Sequence, residues 1–265
     1  MKRGNLSAAE RVKLARDRKR PAAKAYIDAI FDDFLPLAGD RKHGEDPSIL
    51  GGLALFQGMP VTVIAHQKGS SLEENLEYRF GMPNPEGYRK AARLMEQAEK
   101  FKRPVITFVD TPGAYPGLEA EAGGQGEAIA RCIAVMSRLQ VPVVSVFIGE
   151  GGSGGALAIG VSDRTIMLEN SIFSILSPEG FASILWKDAS RWEEAAEVMK
   201  LTAEDLQRLG ICDRVVSEKG NIFINLSREI ETALKQLQKL SGENLAKERY
   251  RKLRRIGTLK YKTED

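Results

Sequence analysis

Apolar residues recur at Ala91, Leu94, Met95 and Ala98, the i, i+3, i+4, i+7 spacing of a single helix face. This predicts a helix over residues 85–101, opened by Pro85-Glu86-Gly87. Apolar runs of strand length follow at 105–109 and 143–148, with a second helical pattern over 127–139 between them. Upstream, 52–56 and 61–66 carry β patterns joined by Gln57-Gly58-Met59-Pro60 in hairpin fashion. Downstream, a short helix over 155–161 precedes strands at 165–168 and 172–175. Helices near 178–186, 191–200 and 202–209 and a last strand at 213–216 complete the alternation.

Both ends read as helical. Ser7-Ala8-Ala9-Glu10 has the form of a capping box opening 7–19, and Pro21 opens a second helical stretch ending near Phe34. Residues 226–240 and 245–256 form a charged tail, whose basic stretch 247–255 reads as a solvated helix or a face for an acidic partner or CoA. Strands separated by helices predict an α/β layered fold with a largely parallel sheet. The expected organisation is an N-terminal helical segment (1–35), a core (36–220) and a C-terminal helical tail (221–265).

A chain of 265 residues with 43% hydrophobic residues can bury a full core. Its formal charge of +3 suits anionic substrates and is too small to argue for nucleic acid. No apolar run approaches the ~18 residues that span a bilayer, and Met1-Lys2-Arg3-Gly4-Asn5 lacks an apolar signal region. Cys132 and Cys212 belong to no metal-spaced pair and read as packing residues. The expectation is a cytoplasmic chain with reduced thiols, no metal of its own and no membrane contact.

The strongest chemical signal is Gly149-Glu150-Gly151-Gly152-Ser153-Gly154-Gly155, five glycines in seven residues between a strand and a helix. Residues without Cβ let main chain approach a ligand, and a helix start aims unpaired N–H groups at it. Such a place holds an anion or a developing oxyanion. Gly149-x-Gly151-x-x-Gly154, with Glu169 twenty residues on, also fits a dinucleotide fingerprint, but the following helix is too short and the unit lies mid-chain. A P-loop would need Gly-Lys-Ser/Thr where Gly154-Gly155-Ala156 stands. Ser153 sits as in a nucleophile elbow, yet both histidines, His43 and His66, precede it, so the triad order fails. What remains is an oxyanion hole with no general base nearby in sequence.

The runs 110–117 (Asp-Thr-Pro-Gly-Ala-Tyr-Pro-Gly), 149–157 and 177–187 (Ser-Pro-Glu-Gly-Phe-Ala-Ser-Ile-Leu-Trp-Lys) resemble the carboxyltransferase alpha subunits of bacterial acetyl-CoA carboxylase. His66-Gln67-Lys68-Gly69 and the run 80–91, from Phe80-Gly81-Met82-Pro83-Asn84, are similar too, and the likeness extends from about residue 20 to residue 216. The resemblance implies a crotonase (ClpP/crotonase-like) spiral of ββα units and transfer of carboxyl from carboxybiotin to acetyl-CoA. The product is malonyl-CoA, and the step is the first committed one of fatty acid synthesis. It implies an alpha2beta2 heterotetramer with a beta subunit that binds acetyl-CoA and carries zinc. It also implies a biotin carboxyl carrier protein, and a separate biotin carboxylase that uses ATP. A crotonase-fold scaffold keeping only the interface is the non-enzymatic alternative.

By the same resemblance the biotin-side oxyanion hole falls on Gly154 and Gly155, beside Gly151, Gly152 and Ser153. Two such donors are worth about 3 kcal/mol each, and Gly155→Val is expected to lower turnover in a complex that stays folded. The rigid loop holding Gly113, Ala114, Tyr115, Pro116 and Gly117 is expected to wall the biotin pocket, Tyr115 being equally open to a packed role. Pro178, Glu179 and Gly180 are candidates for the pocket and, with Ser177, read locally as a helix cap. His66 and Lys68 are open to anion contact or to a hydrogen-bonded structural part.

Overall fold

The computed structural model describes residues 6–258. Helix α1 (Ala8–Ala15) starts on the expected capping box, with Ser7 and Glu10 bonded to one another's backbone N–H. Helix α2 (Ala23–Ile30) ends sooner than the sequence suggests, and Asp32–Pro36 is instead strand β1. The cause is Phe31: its extended backbone turns the ring onto Phe56 and Phe108, which delivers the next residues to the sheet edge.

Strands β2 (Ile49–Phe56) and β3 (Met59–His66) form the expected hairpin. Its two-residue turn, Gln57-Gly58, has φ of +49° and +78°, the double left-handed turn that matches strand twist. Helices α3 (Leu72–Glu77) and α4 (Pro85–Lys100) lead to β4 (Val105–Thr111), and α5 (Leu118–Ala122) and α6 (Gln125–Arg138) lead to β5 (Val143–Gly152). The one-turn α7 (Ser153–Leu157) is followed by β6 (Arg164–Leu168), β7 (Ile172–Ser174), α8 (Pro178–Trp186), α9 (Trp192–Val198) and α10 (Ala203–Arg208). Then come β8 (Arg214–Val216), α11 (Ile222–Leu237) and α12 (Gly242–Arg255).

The sheet runs β1-β2-β3-β4-β5-β6-β8, antiparallel through β3 and parallel beyond it, with β7 paired to the far end of β5. Strand order follows chain order without the reversal at which dinucleotide folds bind their ligand, and α7 has five residues. Both features exclude a Rossmann site at the glycine loop.

One sheet face packs on α4 and α6 through Leu94, Met95, Met136 and Phe147. The other packs on α2 and α11 through Tyr26, Phe108, Ile230 and Leu234. Helix α1 lies apart, its Val12 clustered with Ala196, Leu201 and Ile172.

Helix α12 is not a simply solvated tail, because Arg249 is wholly buried. Its guanidinium meets Asp163 at 2.7 and 3.0 Å and donates to the carbonyls of Met136, Leu139 and Val141 at 2.7, 2.8 and 3.2 Å.

Candidate functional site

Strand β5 is buried along its whole length. Its first half lies between β4 and β6, and then Glu150–Gly152 leaves β6 to pair with Ile172–Ser174 of β7. A register shift against β4, where the step from Val109 to Thr111 faces the longer step from Phe147 to Gly151, accommodates the change of direction. The glycines of this segment serve close approach. A Cβ at Gly149 would lie 2.5 Å from Asp110 Oδ1, at Gly151 2.6 Å from the Phe147 ring, and at Gly152 2.0 Å from the Pro112 carbonyl oxygen. Gly151 and Gly152, expected to line a pocket, are therefore buried packing positions.

Amides are presented one step later. Gly152 caps α7 without any side-chain hydrogen bond, and exposed Ser153 turns the chain at φ +51°. The N–H groups of Ser153, Gly154 and Gly155 occupy the first turn, where no intrahelical acceptor exists. Gly154 is half-buried at a cavity of about 530 Å³ shared with Ser153, Leu157, Phe173, Ile175 and Lys200. Gly155 is deeper: a Cβ there would lie 2.6 Å from the Ala114 amide nitrogen, 2.7 Å from Gly113 C and 2.9 Å from Tyr88 Oη. Gly155→Val would drive a side chain into main chain, so it destabilises the fold instead of leaving it intact. The structure also brings the Ala114 amide against the helix start, a juxtaposition of two loops that spacing along the chain does not reveal.

The loop after β4 is braced from within. Thr111 Oγ1 donates to the Gly113 carbonyl at 2.7 Å and accepts its N–H at 3.0 Å. Asp110 Oδ1 accepts from Lys68 Nζ at 2.6 Å and from the Glu150 N–H at 2.9 Å, tying the ends of β3, β4 and β5 together. Tyr115 is half-buried with the Arg79 guanidinium over its ring, and Gly117 presses on the same ring. The Tyr115 N–H and carbonyl are bonded to Pro83 and Gln125, and Pro116 is exposed. Tyr115 thus packs.

At the start of α8, Ser177 Oγ accepts the Gly180 N–H at 3.0 Å and Pro178 occupies the first turn, buried. Glu179 pairs with Arg16 at 2.7 Å, and Arg16 reaches Glu150 at 2.8 Å. Partial burial draws the Glu179 carboxyl upward, but the Arg16 guanidinium outweighs it and holds the group below its ordinary value. Arg20 donates to the Ile148 carbonyl at 2.7 Å. The N-terminal arginines, read in the sequence only as the polar side of a helical preface, hold α1 onto the glycine segment.

His66 is completely buried and cannot meet an external anion. Burial first, and then the Lys68 charge, push its pKa down to about 3, so the ring is neutral. Neither ring nitrogen has a hydrogen-bond partner among the described residues, contrary to the bonded histidine expected, and no Ser153–His66 pair forms. Among the described residues, no group of three or more His, Cys, Asp or Glu side chains gathers as a metal site, and no helix is long and apolar enough to cross a membrane.

Comparison with known proteins places this geometry. In solved structures, the fold is similar to a transcarboxylase 12S structure (TM-score 0.72, 21% identity, 84% of this chain and 43% of that one). It is also similar to the geranyl-CoA carboxylase beta subunit of P. aeruginosa (TM-score 0.66, 16% identity, 91% of this chain and 45% of that one). These neighbours bear out the crotonase-type α/β fold. In sequence, the chain is 55% identical to the acetyl-coenzyme A carboxylase carboxyl transferase subunit alpha of Clostridium acetobutylicum, over 95% of each chain. It is 53% identical to that of Halalkalibacterium halodurans, over 96% of this chain and 81% of that one. The family model described as acetyl co-enzyme A carboxylase carboxyltransferase-like matches residues 2–257. A match of that extent, with relatives more than half identical, leaves one conclusion: the chain belongs to the acetyl-CoA carboxylase carboxyltransferase family, among its alpha subunits.

Proposed function

We infer that the chain is the alpha half of a carboxyltransferase that moves a carboxyl group from carboxybiotin to acetyl-CoA, giving malonyl-CoA for fatty acid synthesis. The observation that carries the site is the pair of main-chain amides at Gly154 and Gly155, without a side-chain cap, at the start of a one-turn helix. The residues that support a biotin ring here are the Gly154 amide at the cavity, the Gly155 amide one position deeper in the same helix turn, and an apolar cavity mouth at Leu157, Phe173 and Ile175. When bound, carboxybiotin supplies the carboxyl group and, afterwards, a basic nitrogen.

The chain's own part is electrostatic. The Gly154 and Gly155 N–H groups hold negative charge on the ring oxygen, each contributing about 3 kcal/mol in a water-poor site. Leu157, Phe173 and Ile175 give the cavity its apolar mouth, closed to water once a partner covers them. Arg16 pairs with both Glu150 and Glu179 and offsets one of their two negative charges. A beta subunit, in an alpha2beta2 assembly, supplies the acetyl-CoA side and the family's zinc. Ile175, Ile184, Leu185 and Val198, each more than half exposed, support a partner surface next to the cavity. A biotin carboxyl carrier protein delivers the ring, a separate biotin carboxylase spends the ATP, and the cytoplasm is the setting.

The test is malonyl-CoA decarboxylation with free biotin by the chain co-expressed with its beta subunit. A Cβ at Gly154 meets only Ile129 Cγ2, at 3.6 Å, so Gly154→Val covers the amides without disturbing the fold. Its turnover is expected to fall at least about a hundredfold in an assembled complex. Turnover near wild type in that variant, or an inactive wild-type complex, overturns the assignment.

A further inference from the structure

Among the described residues, Lys200 is the one charged side chain that lines the cavity of about 530 Å³ at Gly154. The walls around it are mostly apolar, from Leu157, Phe173, Ile175, Leu206 and Leu209. Helix α9 closes with Met199 as its cap, so Lys200 takes the next position, where helices commonly end on glycine. It adopts the left-handed backbone of such a glycine, at φ +51°. That conformation strains a residue with a Cβ, and strain kept at a cavity points to a use for the side chain.

The segment that follows α9 is tied to the sheet. The Phe173 N–H bonds Leu201 O at 3.1 Å, and Ile172 pairs with Thr202 in an antiparallel bridge. Two residues along that register Lys200 falls beside Ser174, itself the ladder partner of Gly152. Two strand spacings, about 10 Å, thus separate Lys200 from the residue before α7, and its flexible four-carbon stem extends across that distance. On its other side lies a cavity of about 200 Å³ with Glu197, Glu204 and Asp205. Those carboxylates are taken. Glu197 accepts the Ala8 N–H at 2.7 Å, Glu204 pairs with Arg11 at 3.1 Å, and Asp205 accepts the Thr202 hydroxyl at 2.6 Å and pairs with Arg208. Among the described residues Lys200 joins no ion pair, which leaves its charge for the cavity.

We propose that Lys200 binds the carboxylate of carboxybiotin and so selects the loaded ring over the spent one. The proposal rests on the biotin reading above and deepens it to the group that is transferred. In carboxybiotin the carboxyl carbon is bonded to a nitrogen that flanks the ring carbonyl, so a cavity that seats the ring oxygen at Gly154 must take a second anion beside it. An ammonium on a mobile stem suits a carboxylate by charge alone, without a fixed fork, and apolar walls raise the worth of that charge by lowering the local dielectric. The carboxylate loses its charge when it leaves as CO2. Lys200 therefore acts on binding of the loaded ring, and the glycine amides on the step that follows.

Two measurements test it in the complex assembled with beta subunit. Lys200→Gly removes the ammonium and suits the left-handed backbone, so the fold keeps its footing. With enzymatically prepared carboxybiotin as donor to acetyl-CoA, KM for carboxybiotin is expected to rise at least about tenfold in this variant, with kcat within about threefold of wild type. The inhibition constant of free biotin should not change, and Lys200→Arg should keep KM within about threefold of wild type. A KM within about twofold of wild type in Lys200→Gly, or equal weakening of biotin and carboxybiotin, overturns the proposal. The second readout needs no turnover. Reductive ¹³C-methylation leaves lysines charged, and the resonance missing from the Lys200→Arg complex identifies Lys200. It is expected to shift when carboxybiotin is added without acetyl-CoA and to stay in place with biotin. No shift with carboxybiotin, or the same shift with both, overturns the proposal, and this readout decides if Lys200→Gly fails to assemble. An inactive wild-type complex, or full turnover in Gly154→Val, would overturn the biotin reading and the lysine with it. Turnover lost in Gly154→Val with KM unchanged in Lys200→Gly would overturn the lysine alone.

Discussion

Asp40 shows what one side chain contributes away from the site. Its carboxylate takes the Arg89 Nε–H at 2.7 Å and the backbone N–H groups of Lys42, His43 and Gly44 at 2.8 to 3.0 Å. Burial raises its pKa, but Arg89 and the three amides outweigh this and hold it far below the ordinary carboxylate range. A depressed folded pKa gives stability that is present above the unfolded value, near 3.9, and lost as pH falls toward the folded one. Asp40→Asn is expected to cost on the order of 2 kcal/mol at pH 7, with the gap to wild type closing below about pH 4 in urea unfolding. None of this was legible along the chain. Asp40, Lys90 and Arg249 belong to residue types that normally face water, and what buries them is donors or acceptors brought in from other elements. Gly154 and Gly155 were legible because a helix start after a buried strand is a local event.

Elements with an apolar stripe declared themselves, as α4 and α6 did. Helix α3 did not, since it buries no residue and leaves no stripe to read. Strand β1 was hidden in a run that continued the pattern of α2, and only the burial of Phe31 against the sheet ends that helix. The role of α1 was likewise invisible, as its arginines find carboxylates far along the chain at Glu150, Glu179 and Glu204. Removing one clasp should loosen the element alone. Arg16→Met is expected to cost α1 about 1 kcal/mol of docking, seen as faster tryptic cleavage between residues 16 and 20 while the sheet stays protected. Equal cleavage rates in variant and wild type would show that Val12 and its apolar neighbours suffice to hold the helix.

At the scale of the molecule, strand order equal to chain order and a β5 shared between two partners place the helix start at the edge where ligands of parallel sheets bind. The alternation of patterns disclosed the parallel layers, but the branching of β5 into β6 and β7 depends on pairings no periodicity encodes. The C-terminal pin is a fully buried long-range tie. Arg249→Met would leave Asp163 buried without its guanidinium, and the expected loss is about 3 kcal/mol or more, measured as a lowered unfolding midpoint. The same pin bears on how the chain matures at the ribosome. The carbonyls of Met136, Leu139 and Val141 frame the segment leading into β5, and they await a donor made more than a hundred residues later. Until Arg249 has emerged and its helix has docked, that segment has no lock, so in a nascent chain the stretch leading into β5 stays pliable after its own residues are made.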